Sequence, residues 1–474
     1  MKNGFQQPCF PISLSAPVFT VVLYMSRKME KRRSVCRQPY ILYLRRKNEP
    51  WYFFLFLLSV LVNYHIDLLL GRRRWLEHRK KWLIFGLCYN LIWLFLFKYS
   101  GFFAGNLNWI FKKMGIGFSI QIPEFPLPVG ISFYTFQAIS YLADVYRKDV
   151  LHETSFINYG TYITMFPQLI AGPIVTYASV RKQIHQRSHY LKNVENGLRE
   201  FTIGLGLKVL LANQVGRLWS QVGSIGYESI STPFAWLGLA AFSFQIYFDF
   251  YSYSLMAKGL GQLMGFSLPD NFNYPYLSLS MTEFWRRWHM TLGGWFRDYI
   301  YIPLGGNRCG KATTIRNMLV VWLLTGLWHG ASWNFILWGS VIFLLMLIEK
   351  MGLKHLLDGC PLIGHLYMIM AIPLTWLSFA VTDLVQMKIY LLRLFPFLAP
   401  EKQSLYFAGD FLKYGRIYAL SLTLSLIFMT QLPRKLYKQW KRSFLTAVIL
   451  LAVFWLCVYL IKMGADDPFL YFRF

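Results

Sequence analysis

Charged side chains are sparse in this sequence. They account for 15% of its 474 residues, against 55% apolar and 19% aromatic, and only 22 are acidic. Soluble domains carry about 25% charge, so the chain reads as an all-α polytopic membrane protein with one membrane domain, residues 49–474. Cysteine is scarce too. Cys9, Cys36, Cys88, Cys309, Cys360 and Cys457 form neither a CxxC nor a Cys/His ligand spacing, so neither a disulfide framework nor a zinc or other metal site is expected. No P-loop or dinucleotide fingerprint is present, because the lone pair Gly305–Gly306 lacks the strand and helix that such motifs need. An internal repeat is also missing. That counts against a transporter, the competing class that broken helices and buried polar residues would suit.

Apolar runs of spanning length, roughly 20 residues each, lie at residues 51–70, 82–98, 233–250, 316–348, 362–381, 415–432 and 443–462. Residues 127–145, 157–180 and 197–219 are apolar but broken by Gly, Pro, Lys or Arg, which predicts shorter or re-entrant helices. The total expected is roughly nine to eleven membrane-embedded helices. A net charge of +27 would suggest nucleic acid in a soluble protein. Here the basic residues gather in short loops, most clearly GRRRWLEHRKK (71–81) and LPRKLYKQWKR (432–442), the pattern of cytoplasmic loops. Membrane lipids are therefore the expected surroundings, and no nucleic-acid partner is expected. Residues 1–48 stand apart, with ten Lys or Arg against one acid, Glu30. Their apolar stretch, 16–25, is too short to span and lacks the basic n-region and cleavage site of a signal peptide.

His329, in TGLWHGASWNF (325–335), places an ionisable imidazole inside an apolar run. Such a group costs on the order of 3 kcal/mol on insertion scales and marks a candidate functional site. Gly326 and Gly330 flank it at helical spacing and would let a neighbouring backbone or a bound chain come close. A buried histidine bonded to a backbone carbonyl is the competing reading. Residues 269–308 form a second notable stretch, too polar for hydrocarbon yet dense in aromatics, as expected of helices lying at the interface or lining a covered cavity. Within it Trp285, Trp288 and His289 are spaced to share a helical face, while Arg286, Arg287 and Arg297 supply charge suited to an anionic ligand. The same residues fit an interfacial belt whose arginines reach lipid phosphates.

In order along the chain, LPVGISFYTFQAISYLADVYR (127–147), MFPQLIAGPI (165–174), FWRRWHMTL (284–292), FRDYIYIPLGGNR (296–308) and GLWHGASWNFILWG (326–339) resemble the membrane-bound O-acyltransferase (MBOAT) family. Within it they are most similar to the alginate O-acetyltransferase branch, and the closing FLYFRF (469–474) agrees. The resemblance covers residues 50–474. The D-alanyl transfer proteins of teichoic acid, a sister branch, share the FWRRWHM and FRDY elements but usually lack the IPLGGNR continuation. Residues 1–48 depart from the pattern, as a missing first helix or a frameshift before about residue 48 would leave them. An intact upstream frame encoding an apolar helix at the locus would decide for the frameshift.

The resemblance implies a multi-pass protein of the bacterial cytoplasmic membrane in which His329 is the family's catalytic histidine and His289 the second position of its motif. Acylation of a hydroxyl needs a base to take the proton as the oxygen attacks the acyl carbonyl, and a neutral imidazole suits the task. The implied donor is an acyl-CoA thioester, acetyl-CoA in this branch, approached by Trp285, Arg286, Arg287, Trp288, Arg297, Asp298, Asn307, Arg308 and Trp328, the arginines pairing with phosphates through their planar forks. The implied partner is an exported SGNH-type acyltransferase that passes the group to a cell-surface polysaccharide. Teichoic acid, a lipid or a protein side chain remain open as acceptors, because the same base serves each hydroxyl. Gln168 and Gly172–Pro173 fit a re-entrant turn or a plain kink. Both histidines are expected to line one aromatic tunnel within about 11 Å, two helical turns, with Trp285 or Trp288 between or beside them.

Overall fold

The computed structural model describes residues 50–72, 77–123, 125–169, 172–187, 190–398, 409–464 and 469–470. The basic segment 1–48 with Cys9 and Cys36, part of the first basic loop, and the last four residues of FLYFRF lie outside them. Every regular element among the described residues is helical, as expected. The first half comprises α1 (Pro50–Gly71), α2 (Arg79–Leu94), α3 (Ser100–Lys113), α4 (Ile131–Arg147), α5 (Phe156–Thr164), α6 (Tyr177–His185), α7 (Leu191–Gly206) and α8 (Asn213–Ile225). Then come α9 (Thr232–Leu263), α10 (Met281–Arg287), α11 (Met290–Phe296), α12 (Lys311–His329), α13 (Trp333–Ile348), α14 (Pro361–Ala380), α15 (Leu384–Leu394), α16 (Asp410–Ile417), α17 (Ala419–Phe428), α18 (Leu432–Trp440) and α19 (Phe444–Lys462).

Five described helices are long and apolar enough to cross a bilayer. They are α1, the 35-residue rod Arg79–Lys113 that joins α2 to α3, α13 with its continuation to Gly359, α14 and α19. A sixth is added if α16 and α17, bent by 65°, count as one broken span. The larger number of membrane-embedded helices expected from the sequence takes in elements such as α9, which is 32 residues long but buries Gln245, Asp249 and Ser252 against its neighbours. It is sheathed by protein instead of lipid, so its polar groups find partners inside the fold.

Small residues let α9 serve as an axis. A Cβ on Gly197 of α7 would lie 2.7 Å from the carbonyl oxygen of Gly259, and one on Gly259 would lie 2.5 Å from that of Gly197. Further along the crossing, a Cβ on Gly204 would lie 2.6 Å from the carbonyl oxygen of Ser252. Without a hydrophobic driving force between helices in lipid, such close approach supplies the dispersion contacts that hold them together.

The apolar run 316–348 is not one span. Its helix stops at His329, Gly330 is extended (φ −166°, ψ 152°), and α13 restarts at Trp333 after Ser332. Helices α12 and α13 then fold back on each other, with a Cβ on Gly326 only 2.4 Å from the carbonyl oxygen of Phe335, and one on Gly339 only 2.4 Å from that of Trp322. Gly330 lies off the helix, and the space of its missing Cβ is filled by the Phe335 ring. The two glycines beside His329 therefore admit the partner helix of a hairpin. Gly326→Ala or Gly339→Ala should force these backbones apart and destabilise the fold by about 1–3 kcal/mol, read as a lower unfolding midpoint in detergent. Gly105→Ala, with open space at its Cβ, should leave the midpoint unchanged.

Candidate active site

Residues 269–308 include two short helices, α10 and α11, separated by Trp288 and His289. The start of α10 is fixed electrostatically. The buried carboxylate of Glu349 accepts hydrogen bonds from the Thr282 amide at 2.9 Å, the Thr282 hydroxyl at 2.6 Å and the Met281 amide. It faces the positive end of the helix. The Ser280 hydroxyl caps the same turn, accepting from the Glu283 amide at 3.2 Å. At the other end the helix closes at Arg287, and His289 adopts a left-handed conformation (φ 43°, ψ 52°) before α11 begins. The helical face expected to carry Trp285, Trp288 and His289 together is thus interrupted. The break turns the imidazole out of the register of α10, a conformation non-glycine residues adopt only where the surroundings impose it.

What imposes it is Asn271. Its side-chain oxygen accepts from the Thr291 amide at 3.3 Å and the Thr291 hydroxyl at 2.9 Å, and it lies 3.0 Å from Nδ1 of His289. A backbone amide can only donate, so the contacted atom of Asn271 is its carbonyl oxygen, and Nδ1 of His289 must donate to it. Nε2 is then the bare nitrogen of a neutral ring. Burial pushes this imidazole down to about 3, which keeps it neutral at any working pH. Nε2 is buried without a hydrogen-bond partner among the described residues. The Thr291 hydroxyl also accepts from the Ile174 amide at 3.0 Å, tying the MFPQLIAGPI segment to the same belt. In that segment a short helix, Phe166–Leu169, precedes Gly172, whose missing Cβ leaves room for the carbonyl oxygen of Pro167. Gln168 donates its side-chain amide to the Tyr162 carbonyl, while its side-chain oxygen is buried without a partner among the described residues.

Both histidines line one cavity of about 50 Å³. Its wall takes Ile246, Phe250 and Tyr253 from α9, Trp285, Trp288 and His289 from the α10–α11 segment, Trp328 and His329 from α12, and Trp376 and Phe379 from α14. Asp249, Phe469 and Leu470 complete it, the Asp249 carboxylate accepting from the Leu470 amide at 2.8 Å while it pairs with Lys208. A single indole, Trp328, lies against both imidazoles, with ring centroids 6.1 Å from His289 and 4.9 Å from His329. His329 is otherwise packed edge-on against Trp338 at 5.1 Å and Phe379 at 4.9 Å. Trp285 and Trp288 stand in the wall, but the ring shared by the two histidines is Trp328. Phe133 and Phe136 of α4 back that indole, each with ring centroids under 6 Å from it.

Residues 80–358, which contain both histidines, match the family model described as "MBOAT, membrane-bound O-acyltransferase family". The chain belongs to the membrane-bound O-acyltransferase family. It is 38% identical over 341 residues to the probable alginate O-acetylase AlgI of Pseudomonas aeruginosa, a match covering 71% of this chain and 64% of that protein. It is 38% identical over 328 residues to the probable alginate O-acetylase AlgI of Azotobacter vinelandii, covering 69% and 65%. The peptidoglycan O-acetyltransferase of Helicobacter pylori is 36% identical over 308 residues, covering 59% and 57%. The chain thus spans a little under two thirds of the length of the two AlgI proteins and 57% of the third relative. These likenesses place it in the AlgI-like branch, as a multi-pass protein of a bacterial plasma membrane.

For this MBOAT member the structure gathers Trp285, Trp288, His289, Trp328 and His329 around the cavity and leaves the remaining candidates outside it. Arg286 is exposed in a surface cleft with Lys354 and Asp358, and Arg287 pairs with Glu283 one turn back. Arg297 is exposed and forms a two-point pair with the neighbouring Asp298 at 2.7 and 3.0 Å. Asn307 and Arg308 are exposed on the IPLGGNR loop, whose backbone is held by Asn317 through the carbonyls of Leu304 and Gly306. Sequence reasoning missed Asn271, Trp376 and Phe379. Nothing in the string PDNFNYP separates Asn271 from Asn273 two positions on, and Trp376 and Phe379 lie in an apolar run of spanning length that marks no residue out. The described cysteines, Cys88, Cys309, Cys360 and Cys457, are unpaired thiols.

Proposed function

We propose that this protein transfers an acyl group, acetyl in this branch, from a cytoplasmic acyl-CoA thioester towards hydroxyls of an exported cell-surface polysaccharide, with His329 as the general base. One observation carries the reading: two histidines from different segments line one aromatic cavity and share a single indole. His329 is the ring without a hydrogen bond to protein among the described residues, so its lone pair is available to an acceptor hydroxyl. It takes the hydroxyl proton as the oxygen attacks the acyl carbonyl, the C–S bond of the thioester breaks, and the imidazolium returns the proton to the departing thiolate. His289, held in one tautomer by Asn271, presents Nε2 to a donor or acceptor hydrogen and orients it. The apolar aromatic wall excludes water, which would otherwise hydrolyse the thioester.

The names of the relatives support a polymer acceptor, alginate in one case and peptidoglycan in the other. An exported SGNH-type acyltransferase would receive the group outside the membrane. Membranes carrying the chain, supplied with labelled acetyl-CoA and purified polymer, test the reading. Label in alkali-labile ester on the polymer, lost without the partner, supports it; transfer of a D-alanyl group to teichoic acid instead would move the chain to the sister chemistry.

The arginines give a further expected result. If Arg286 and Arg287 meet donor phosphates at the cytoplasmic mouth, the double substitution Arg286→Ala, Arg287→Ala raises the donor concentration needed for half-maximal transfer by about tenfold or more, the equivalent of one charge-assisted contact of about 1.5–3 kcal/mol. Identical donor dependence in mutant and parent membranes would make them anchors at the lipid surface.

A further inference from the structure

A lysine sits where a bilayer-length helix should be apolar. Lys98 belongs to the 35-residue rod Arg79–Lys113 and lies in a π-helical turn, Phe95–Tyr99. A charge at such a position costs on the order of 3 kcal/mol and is retained where it has a partner or a function. Among the described residues no carboxylate pairs with it. Its ammonium instead donates to the backbone carbonyl of Trp328, lies 3.5 Å from the Ser132 hydroxyl, and stands 5.7 Å from the centroid of the Trp328 indole. The next residue, Tyr99, donates its hydroxyl to the carbonyl of Leu327 at 2.9 Å.

These two carbonyls belong to the last turn of α12, immediately before His329. The final carbonyls of a helix have no amide of their own helix to accept from, and a cation there also meets the negative end of the helix dipole. On a regular α-helix, consecutive side chains diverge by about 100°. The widened π turn changes that register, and here adjacent side chains reach adjacent carbonyls of one partner. Such turns recur at functional sites.

Building on the reading of His329 as the base, we propose that Lys98, assisted by Tyr99, is a positioning residue for His329: the pair clamps the last turn of α12 and so fixes the imidazole in the cavity. Lys98 acts through the backbone and the Trp328 ring and has no role at the reacting atoms.

The test compares K98M, K98R and Y99F with the parent in native membranes, using two readouts. The first is acetyl transfer, resolved into kcat and donor KM. The second needs no turnover: the rate at which diethyl pyrocarbonate modifies His329, followed by peptide mass spectrometry. For K98M the expected results are a fall in kcat of about 100-fold, the scale of an ångström of misplacement, an unchanged donor KM, and a several-fold change in the His329 modification rate. K98R, which keeps a cationic donor, restores most of both. An unchanged modification rate in K98M overturns the clamp whatever the activity does, as does a K98R variant no better than K98M. If K98M fails to insert, Y99F carries the same comparison, with a smaller shift in both readouts expected and none overturning the proposal. An active H329A would sink the base reading alone, since the modification rates in the Lys98 variants judge the clamp independently.

Discussion

Membranes carrying His329→Gln or His329→Ala should transfer acyl groups roughly 100- to 10,000-fold more slowly than the parent, the range a positioned general base supplies. Glutamine keeps polarity and approximate size but cannot accept a proton at neutral pH, so it separates basicity from packing. The fold should tolerate both changes. The imidazole is only partly buried, and its neighbours Trp338 and Phe379 are held by their own contacts with Trp376, at 6.2 and 5.5 Å between ring centroids. Abundance in the membrane and the unfolding midpoint in detergent should therefore stay near those of the parent. The decisive measurement is the O-acetyl content of the cell-surface polymer in a strain whose own copy is deleted. Near-normal content with either variant would remove His329 from the chemistry and shift attention to Nε2 of His289.

Asn271→Ala should lower kcat by about 100-fold while leaving the donor KM within a factor of about two, because it frees His289 to change tautomer and rotate without removing a surface that binds donor. In triad enzymes the loss of the group that fixes a histidine tautomer is costlier still, about 10,000-fold. The control is Thr291→Val. That change removes the hydroxyl linking Asn271 to the Ile174 amide but leaves the 3.0 Å contact between Asn271 and His289 in place. If orientation of His289 is the point, Thr291→Val costs far less than Asn271→Ala. Equal losses from the two would mean that Asn271 serves the belt and that His289 is structural.

Some features were legible because they are local in the chain. Long apolar runs predict helices whatever surrounds them, and basic loops between them mark a membrane protein, since both follow from transfer free energies summed over neighbouring residues. His329 stood out for the same reason, as an ionisable group in an apolar run. The extent of its helix did not. Residues 316–348 read as one apolar run, so hydropathy reads one span, whereas a helix break at Gly330 and two close backbone contacts at Gly326 and Gly339 make a hairpin. A similar limit applies to FWRRWH: spacing predicts a continuous face, and the left-handed turn at His289 is imposed by an asparagine eighteen positions earlier.

The sequence by itself determined that this chain is helical, membrane-embedded, poor in carboxylates and equipped with two histidines in aromatic surroundings, because composition and short-range pattern decide those properties. Only the tertiary structure decided which aromatic ring the histidines share, which of their neighbours are arginines free to meet a ligand and which are already paired with Glu283 or Asp298, and which carbonyls Lys98 and Tyr99 hold. Those are contacts between residues up to 230 positions apart. They depend on helix crossings set by glycines and on the widened turn at Phe95–Tyr99, and no periodicity within a single segment encodes where two such segments meet.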